Sequence, residues 1–308
     1  MGTVQVGLNG STEGAAGPVR GAVRRRRSPV SNPWLGILPA GLLLIVVFVV
    51  PFGLTLGFSF VADTEFASGR PLEFTLAHYR DVFADPIFFR SWLRSLAVGV
   101  LPVVIGTLIA YPIAYFLAFV VAPRWRRLLL FLLIAPFWTS FTVRAFSWQL
   151  ILSDQGMLGW IVRAFGLGQG ADFMHSTPAA IMALSLFAAA LLTLTLFSVL
   201  ETIERSLVEA AEDLGATRWQ AFRYVVLPLS VPGWLVGALL GFIVCVGDYA
   251  VPQLLGSSFK PVVAQLMENS VRATLNLPLA AVYAVVLLGT IVVFALPAMR
   301  LLPAVRSA

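Results

Sequence analysis

Phe173-Met-His-Ser-Thr-Pro-Ala-Ala-Ile-Met-Ala-Leu-Ser-Leu-Phe-Ala-Ala-Ala-Leu-Leu-Thr-Leu-Thr-Leu-Phe-Ser-Val-Leu200 contains no Asp, Glu, Lys or Arg. A helix needs about 20 such residues to cross ~30 Å of hydrocarbon, so this stretch is long enough to span a bilayer. In lipid every backbone N–H and C=O must be satisfied within the segment, which selects a helix. Working outward, further uncharged windows occupy residues 28–62, 95–123, 128–143, 224–247 and 273–299. They predict an all-α membrane protein with six spans at about 34–60, 95–121, 128–151, 177–200, 233–255 and 274–298. Two of the six are interrupted by charge: the third reaches full length only by including Arg144, and the fifth passes Asp248 before its apolar run ends at Leu255. Pro51, Pro102, Pro112, Pro136 and Pro252 fall inside the expected spans and predict kinks.

The composition agrees. Of 308 residues, 59% are hydrophobic and 12% charged, with 23 Phe and 8 Trp; the mean hydropathy is +0.89. A water-soluble globule is excluded. One Cys and two His cannot supply a disulfide framework or the three or four ligands of a transition-metal site, so neither a metal nor a cofactor is expected. The only lysine, Lys260, follows Phe259 and not the glycine of a phosphate-binding GK[ST] loop, so nucleotide hydrolysis is expected on a partner.

Charge placement sets the orientation, because Lys and Arg of short loops are retained on the cytoplasmic side. With the N-terminus inside, the inner segments hold thirteen arginines (Arg20, Arg24 to Arg27, Arg124, Arg126, Arg127, Arg205, Arg218, Arg223, Arg300, Arg306). The outer segments hold seven cations (Arg70, Arg80, Arg90, Arg94, Arg163, Lys260, Arg272). The expected topology is N-in and C-in. Residues 32–300 form the membrane domain. Residues 1–31, Gly-, Ser-, Val- and Arg-rich without periodicity, read as a disordered cytoplasmic tail, and 301–308 as a short C-terminal tail. A cleaved leader fits poorly, since the apolar stretch after the Arg24–Arg27 run is span-length. Acidic residues interleave with the outer basic ones, so the net charge of +6 is a topology signal, and nucleic-acid binding is not expected.

The long inner connection, 201–232, is built as two short helices. Ser206 with Glu209 has the spacing of a capping box, Gly215 suits a left-handed residue after the first helix, and Thr217 with Gln220 forms a second box. Pro228 is expected to end the second helix. Trp219, Phe222 and Val226 form one apolar stripe, which read alone also fits a helix lying on the bilayer surface.

Glu209-Ala210-Ala211, then Gly215, then Val225-x-Leu227-Pro228 resembles the EAA loop of permease subunits of bacterial ATP-binding-cassette importers, with Val225 where isoleucine is usual. Leu132-Leu-Ile-Ala-Pro-Phe-Trp-Thr-Ser140, Thr177-Pro178 and Gly247-Asp-Tyr-Ala-Val-Pro-Gln-Leu-Leu-Gly256 are similar to the first permease subunit of spermidine/putrescine importers. The resemblance covers roughly residues 33–298. It implies a type I importer permease fold in the bacterial inner membrane. It also implies three partners: a dimeric ATPase that the loop contacts through Glu209, Ala210, Ala211, Gly215, Leu227 and Pro228, a second permease subunit, and an extracytoplasmic solute-binding protein. It implies no covalent chemistry in this chain.

Charges inside spans are costly and default to functional hypotheses. At ~1.5 Å per residue, Arg144 and Asp248 lie at similar depth, in the outer third of the third and fifth spans. One reading pairs Arg144 with Asp248, or lets Arg144 reach the outer headgroups beside Trp148. The other makes Asp248, with Tyr249, Trp138 and Arg144, part of a translocation path in which a passing ammonium meets charge and aromatic faces. Gly237 with Gly241, and Gly53 with Gly57, are small-residue pairs suited to packing within the chain or against a second permease. His78 and His175 read as satisfied surface residues, and Trp34, Trp92, Trp148 and Trp160 as interfacial anchors. An ion-coupled secondary transporter with Asp248 as its ion site is the rival reading. It lacks support from an internal repeat. A membrane-embedded enzyme lacks any His, Cys or paired-carboxylate constellation.

Overall fold

The computed structural model describes Pro39 and residues 41–62, 73–153, 155–157, 159–160, 175–256 and 260–306. The expected tail at 1–31 lies outside them. The chain divides into two units, Met1–Val50 and Pro51–Ala308; the packing below belongs to the second. Apart from one isolated bridge, Val61 to Phe74, the regular structure of the described residues is helical.

Among the described residues five helices are long and apolar enough to cross a membrane: α1 (Gly41–Phe58), α3 (Pro86–Val120), α6 (Thr177–Leu200), α8 (Arg218–Gly247) and α11 (Leu277–Arg306). A sixth span is supplied if the bent pair α4 (Pro123–Ile134, prolonged by a 3-10 turn at Ala135–Trp138) and α5 (Phe141–Leu152) counts as one; the bend is 97°. Short helices α2 (Ala77–Ala84), α7 (Arg205–Asp213), α9 (Ala250–Leu255) and α10 (Val263–Arg272) lie between them.

The helix limits depart from the uncharged windows for identifiable reasons. Where the window opened at residue 95, α3 opens at Pro86: the Asp85 Oδ1 accepts the Ile87 N–H at 2.8 Å and proline occupies the first turn, which is a strong start signal. Arg90 is exposed and Arg94 half-buried, so neither charge opposes the helix. Pro102 and Pro112 sit inside α3 without interrupting it. The window at 128–151 is broken, not continuous. Pro136 removes a donor, and Thr139 and Ser140 are extended. Pro228 does not end the second loop helix. A π-turn at Phe222–Val226, closed by the Leu227 N–H on the Phe222 carbonyl, brings the chain into register, and Pro228 falls in the first turn of the segment that follows. The expected span 233–255 therefore begins in α8 at Arg218, stops at Gly247, and resumes after Asp248 and Tyr249 as α9. The last helix opens at Leu277, after Asn276 accepts the Leu279 N–H at 3.0 Å, and runs through 301–306.

α3, α6 and α8 pack against one another to form the core, with Ala110, Ala188, Leu192, Leu196, Val226 and Cys245 fully buried. At Gly237 α8 sits tightly against α6: a Cβ there would overlap the Thr195 side chain, and one on Gly241 would lie 3.3 Å from Val103. This pair packs within the chain. A Cβ on Gly53 or Gly57 would meet nothing within 4 Å.

Candidate functional site

The segment between α6 and α8 is held in shape by local hydrogen bonds. α7 starts two residues earlier than the Ser206 and Glu209 spacing suggests. Glu204 is its N-cap without a side-chain cap bond, and Ser206, now inside the first turn, donates to Glu204 Oε2 at 3.3 Å. The Ser206/Glu209 capping box is thus not formed. α7 ends at a paired closure: Gly215 N–H donates to Glu212 C=O at 2.9 Å and Ala216 N–H to Ala211 C=O at 3.0 Å. Gly215 has φ +89°, the left-handed residue such a closure needs. The Thr217/Gln220 box is formed, with Gln220 N–H donating to Thr217 Oγ1 at 3.3 Å and Thr217 N–H to Gln220 Oε1 at 2.8 Å.

Glu209, Ala210 and Gly215 are exposed, Ala211 and Leu227 half-buried, and Pro228 exposed. The apolar stripe turns toward the protein and not along a bilayer: Val226 is fully buried, and Phe222 packs edge-on against Tyr111 and Tyr115 of α3 with centroids 6.2 and 5.7 Å away. Trp219 remains exposed and stacks on Phe222. A cleft of about 680 Å³ opens between the Val120 end of α3, α7 and the first turns of α8, with Tyr115, Phe119, Glu209, Glu212 and Trp219 among its walls.

The second group lies at the break after α8. Asp248 is 8% exposed. Its Oδ1 accepts the N–H groups of Ala250 at 2.8 Å and Val251 at 3.4 Å, capping α9, while the buried Oδ2 has no hydrogen-bond partner among the described residues. Tyr249 is partly exposed. Arg144 lies on α5, which packs against α9. Its guanidinium donates to the carbonyls of Pro136 at 2.9 Å and Thr139 at 3.3 Å, which the helix break has released, and sits 5.5 and 4.9 Å from the rings of Phe137 and Phe187. The expected Arg144–Asp248 ion pair is absent among the described residues. Trp138 is 72% exposed and packs edge-on against Phe131; none of its described contacts involves Asp248. His78 Nε2 lies 3.0 Å from the Ala62 carbonyl.

Among the described residues no three His, Cys, Asp or Glu side chains gather in a way that would hold a metal. The long apolar helices and the exposed α7 with the first turn of α8 define a polytopic transport subunit without a catalytic constellation among the described residues. Its fold is that of type I importer permeases. The structure matches a bacterial ABC transporter involved in the import of the acidic polysaccharide alginate with a TM-score of 0.72 at 18% identity, over 88% of this chain and 94% of that one. It matches the MetNI methionine ABC transporter with a TM-score of 0.55 at 20% identity, over 71% and 96%. The chain belongs to the binding-protein-dependent transport system inner membrane component family, whose model matches residues 110–302. It is 33% identical over 219 residues to the spermidine/putrescine transport system permease protein PotB of Escherichia coli (strain K12), covering 71% of this chain and 78% of the relative. It is 29% identical over 265 residues to the inner membrane ABC transporter permease protein YdcU of the same organism, covering 82% and 81%. The protein is accordingly a multi-pass inner-membrane permease subunit of an ABC importer, and the secondary-transporter alternative falls away.

Proposed function

We propose that this subunit forms part of the path for a small cationic, polyamine-type solute and that a separate ATPase dimer drives it through the loop from Glu201 to Pro228. The observation that carries the ATPase reading is the exposed α7, presenting Glu209 and Ala210 outward and ending at the positive-φ Gly215. A second permease subunit and an extracytoplasmic binding protein complete the importer. The solute class rests on the PotB relatives together with the buried Asp248 Oδ2, which has no partner among the described residues and is an acceptor that an ammonium would satisfy. In proteoliposomes containing the assembled importer and its binding protein, ATP-driven uptake of radiolabelled putrescine should exceed that of a neutral diol of equal length. Equal uptake of the two would remove the cationic assignment.

The inward orientation has its own check. Cys245 is fully buried, so a cysteine placed at the exposed Gln220 in a Cys245→Ser background reports on one position. A membrane-impermeant maleimide should label Gln220→Cys in inside-out vesicles and leave it unlabelled in right-side-out ones. The reverse pattern would invert the topology.

A further inference from the structure

The inner end of α3 is a helix terminus, where carbonyls lack intrahelical partners and the dipole favours cations. Two arginines from other elements meet it. Arg126, in the first turn of α4, donates through Nη2 to the carbonyls of Ala118 at 2.8 Å and Val121 at 3.5 Å. Arg205, the first residue of α7, donates through Nη2 to the carbonyl of Phe119 at 3.2 Å. Arg126 also reaches Glu201, which closes α6, at 2.9 Å, and its guanidinium lies 5.8 Å from the Phe197 ring. The Arg126 side chain is only 14% exposed. One nearly buried cation therefore joins the ends of α3 and α6 beside the first turn of α7, and a second joins α7 to α3.

The other described contacts of the loop with this region include the apolar Ile203, Val208, Phe222 and Val226, surfaces that can slide, and one neutral hydrogen bond, Tyr111 to Ser230 at 3.2 Å. Charge-assisted hydrogen bonds from a planar fork fix direction as well as distance. α3 in turn reaches the other end of the subunit, where Ser95 Oγ accepts the Val263 N–H of α10 at 2.8 Å and Trp92 Nε1 donates to Thr290 at 3.0 Å. We propose that Arg126, with Glu201 and Arg205, is a latch that carries displacement of α7 into α3, and so from the ATPase side of the subunit to its α10 end. This rests on the reading of α7 as the ATPase-contacting helix. Arg126 is a positioning residue, and it acts through the α3 terminus.

The test uses the complete importer in proteoliposomes, measuring assembled complex, ATP hydrolysis stimulated by loaded binding protein, and solute imported per ATP. Arg126→Gln removes the charge and the fork. It should assemble and hydrolyse ATP while import per ATP falls about tenfold, the size of an ordinary coupling between sites. Arg126→Lys keeps the charge and should recover part of the ratio. Arg205→Gln, at an exposed position with one described carbonyl contact, should lower the ratio without affecting assembly, which keeps the test decisive if Arg126→Gln fails to insert. A wild-type ratio in Arg205→Gln together with either a wild-type ratio or a pure assembly loss in Arg126→Gln would overturn the latch. Gly215→Val run in parallel separates the two readings. If it uncouples while the arginine variants do not, only the latch is wrong; if it too leaves the ratio unchanged, the ATPase-contact reading of α7 fails with it.

Discussion

Replacing Gly215 by valine is expected to cut ATP-driven uptake at least tenfold while the subunit still inserts and assembles. The glycine sits at φ +89°, where a β-branched residue is an outlier costing about 1–3 kcal/mol. The strain falls on the hydrogen bonds that close α7, Gly215 to Glu212 and Ala216 to Ala211, and on the angle at which Arg218 begins α8. Open space surrounds the position, since a Cβ there meets nothing within 4 Å. The effect is therefore conformational and not steric, and it is confined to an exposed turn. Gly215→Ala should retain more uptake than Gly215→Val, and Gly215→Asn more still, because asparagine tolerates the left-handed region. Glu209→Lys, at an exposed site outside the core, should lower uptake without altering the amount of assembled protein. Uptake per assembled complex is the measurement. Wild-type values for Gly215→Val would remove the turn from the ATPase-coupling role.

The parts of this molecule that were legible in the sequence are those fixed by one local rule. The window ending at Leu200 marks a helix because no charge interrupts it, and Gly215 and the Thr217/Gln220 box announce themselves within a few residues. Rules applied in competition served less well. Arg90 and Arg94 cut the second window short although Asp85-Pro86 signalled an earlier start, since an exposed arginine at a helix end costs nothing that a window count can see. Pro228 reads as a stop, yet a π-turn upstream places its missing N–H where none is required. Ser206 satisfies the spacing of a capping box but lost the position to Glu204, two residues earlier. The arginine contacts at the end of α3 were invisible, because Arg126 and Glu201 are 75 residues apart and only the packing of α3 on α6 brings them together. Arg144 illustrates the same limit: its charge was conspicuous, but the carbonyls it meets exist only because the chain breaks at Thr139 and Ser140.

That separation of Arg144 from Asp248 makes the aspartate testable by itself. The two oxygens of Asp248 differ: Oδ1 caps α9, and Oδ2 is a buried acceptor without a partner among the described residues. Asparagine can keep the first through its own carbonyl oxygen and cannot supply the negative charge of the second. Asp248→Asn should therefore assemble like the wild type, whereas Asp248→Ala should also lose the cap, worth about 1 kcal/mol. Uptake of a cationic solute should fall at least tenfold in Asp248→Asn, the loss being that of one charge-assisted contact of about 1.5–3 kcal/mol. Competition should change with it, since a neutral diol of the same length gains relative to the diammonium once the anion is gone. With Arg144 held at the Pro136 and Thr139 carbonyls, combining Asp248→Asn with Arg144→Gln should give effects that add to within about 0.5 kcal/mol. An Asp248→Asn variant that imports the cation at the wild-type rate would reduce Asp248 to the cap of a six-residue helix and move the search for the cation's partner elsewhere along the path.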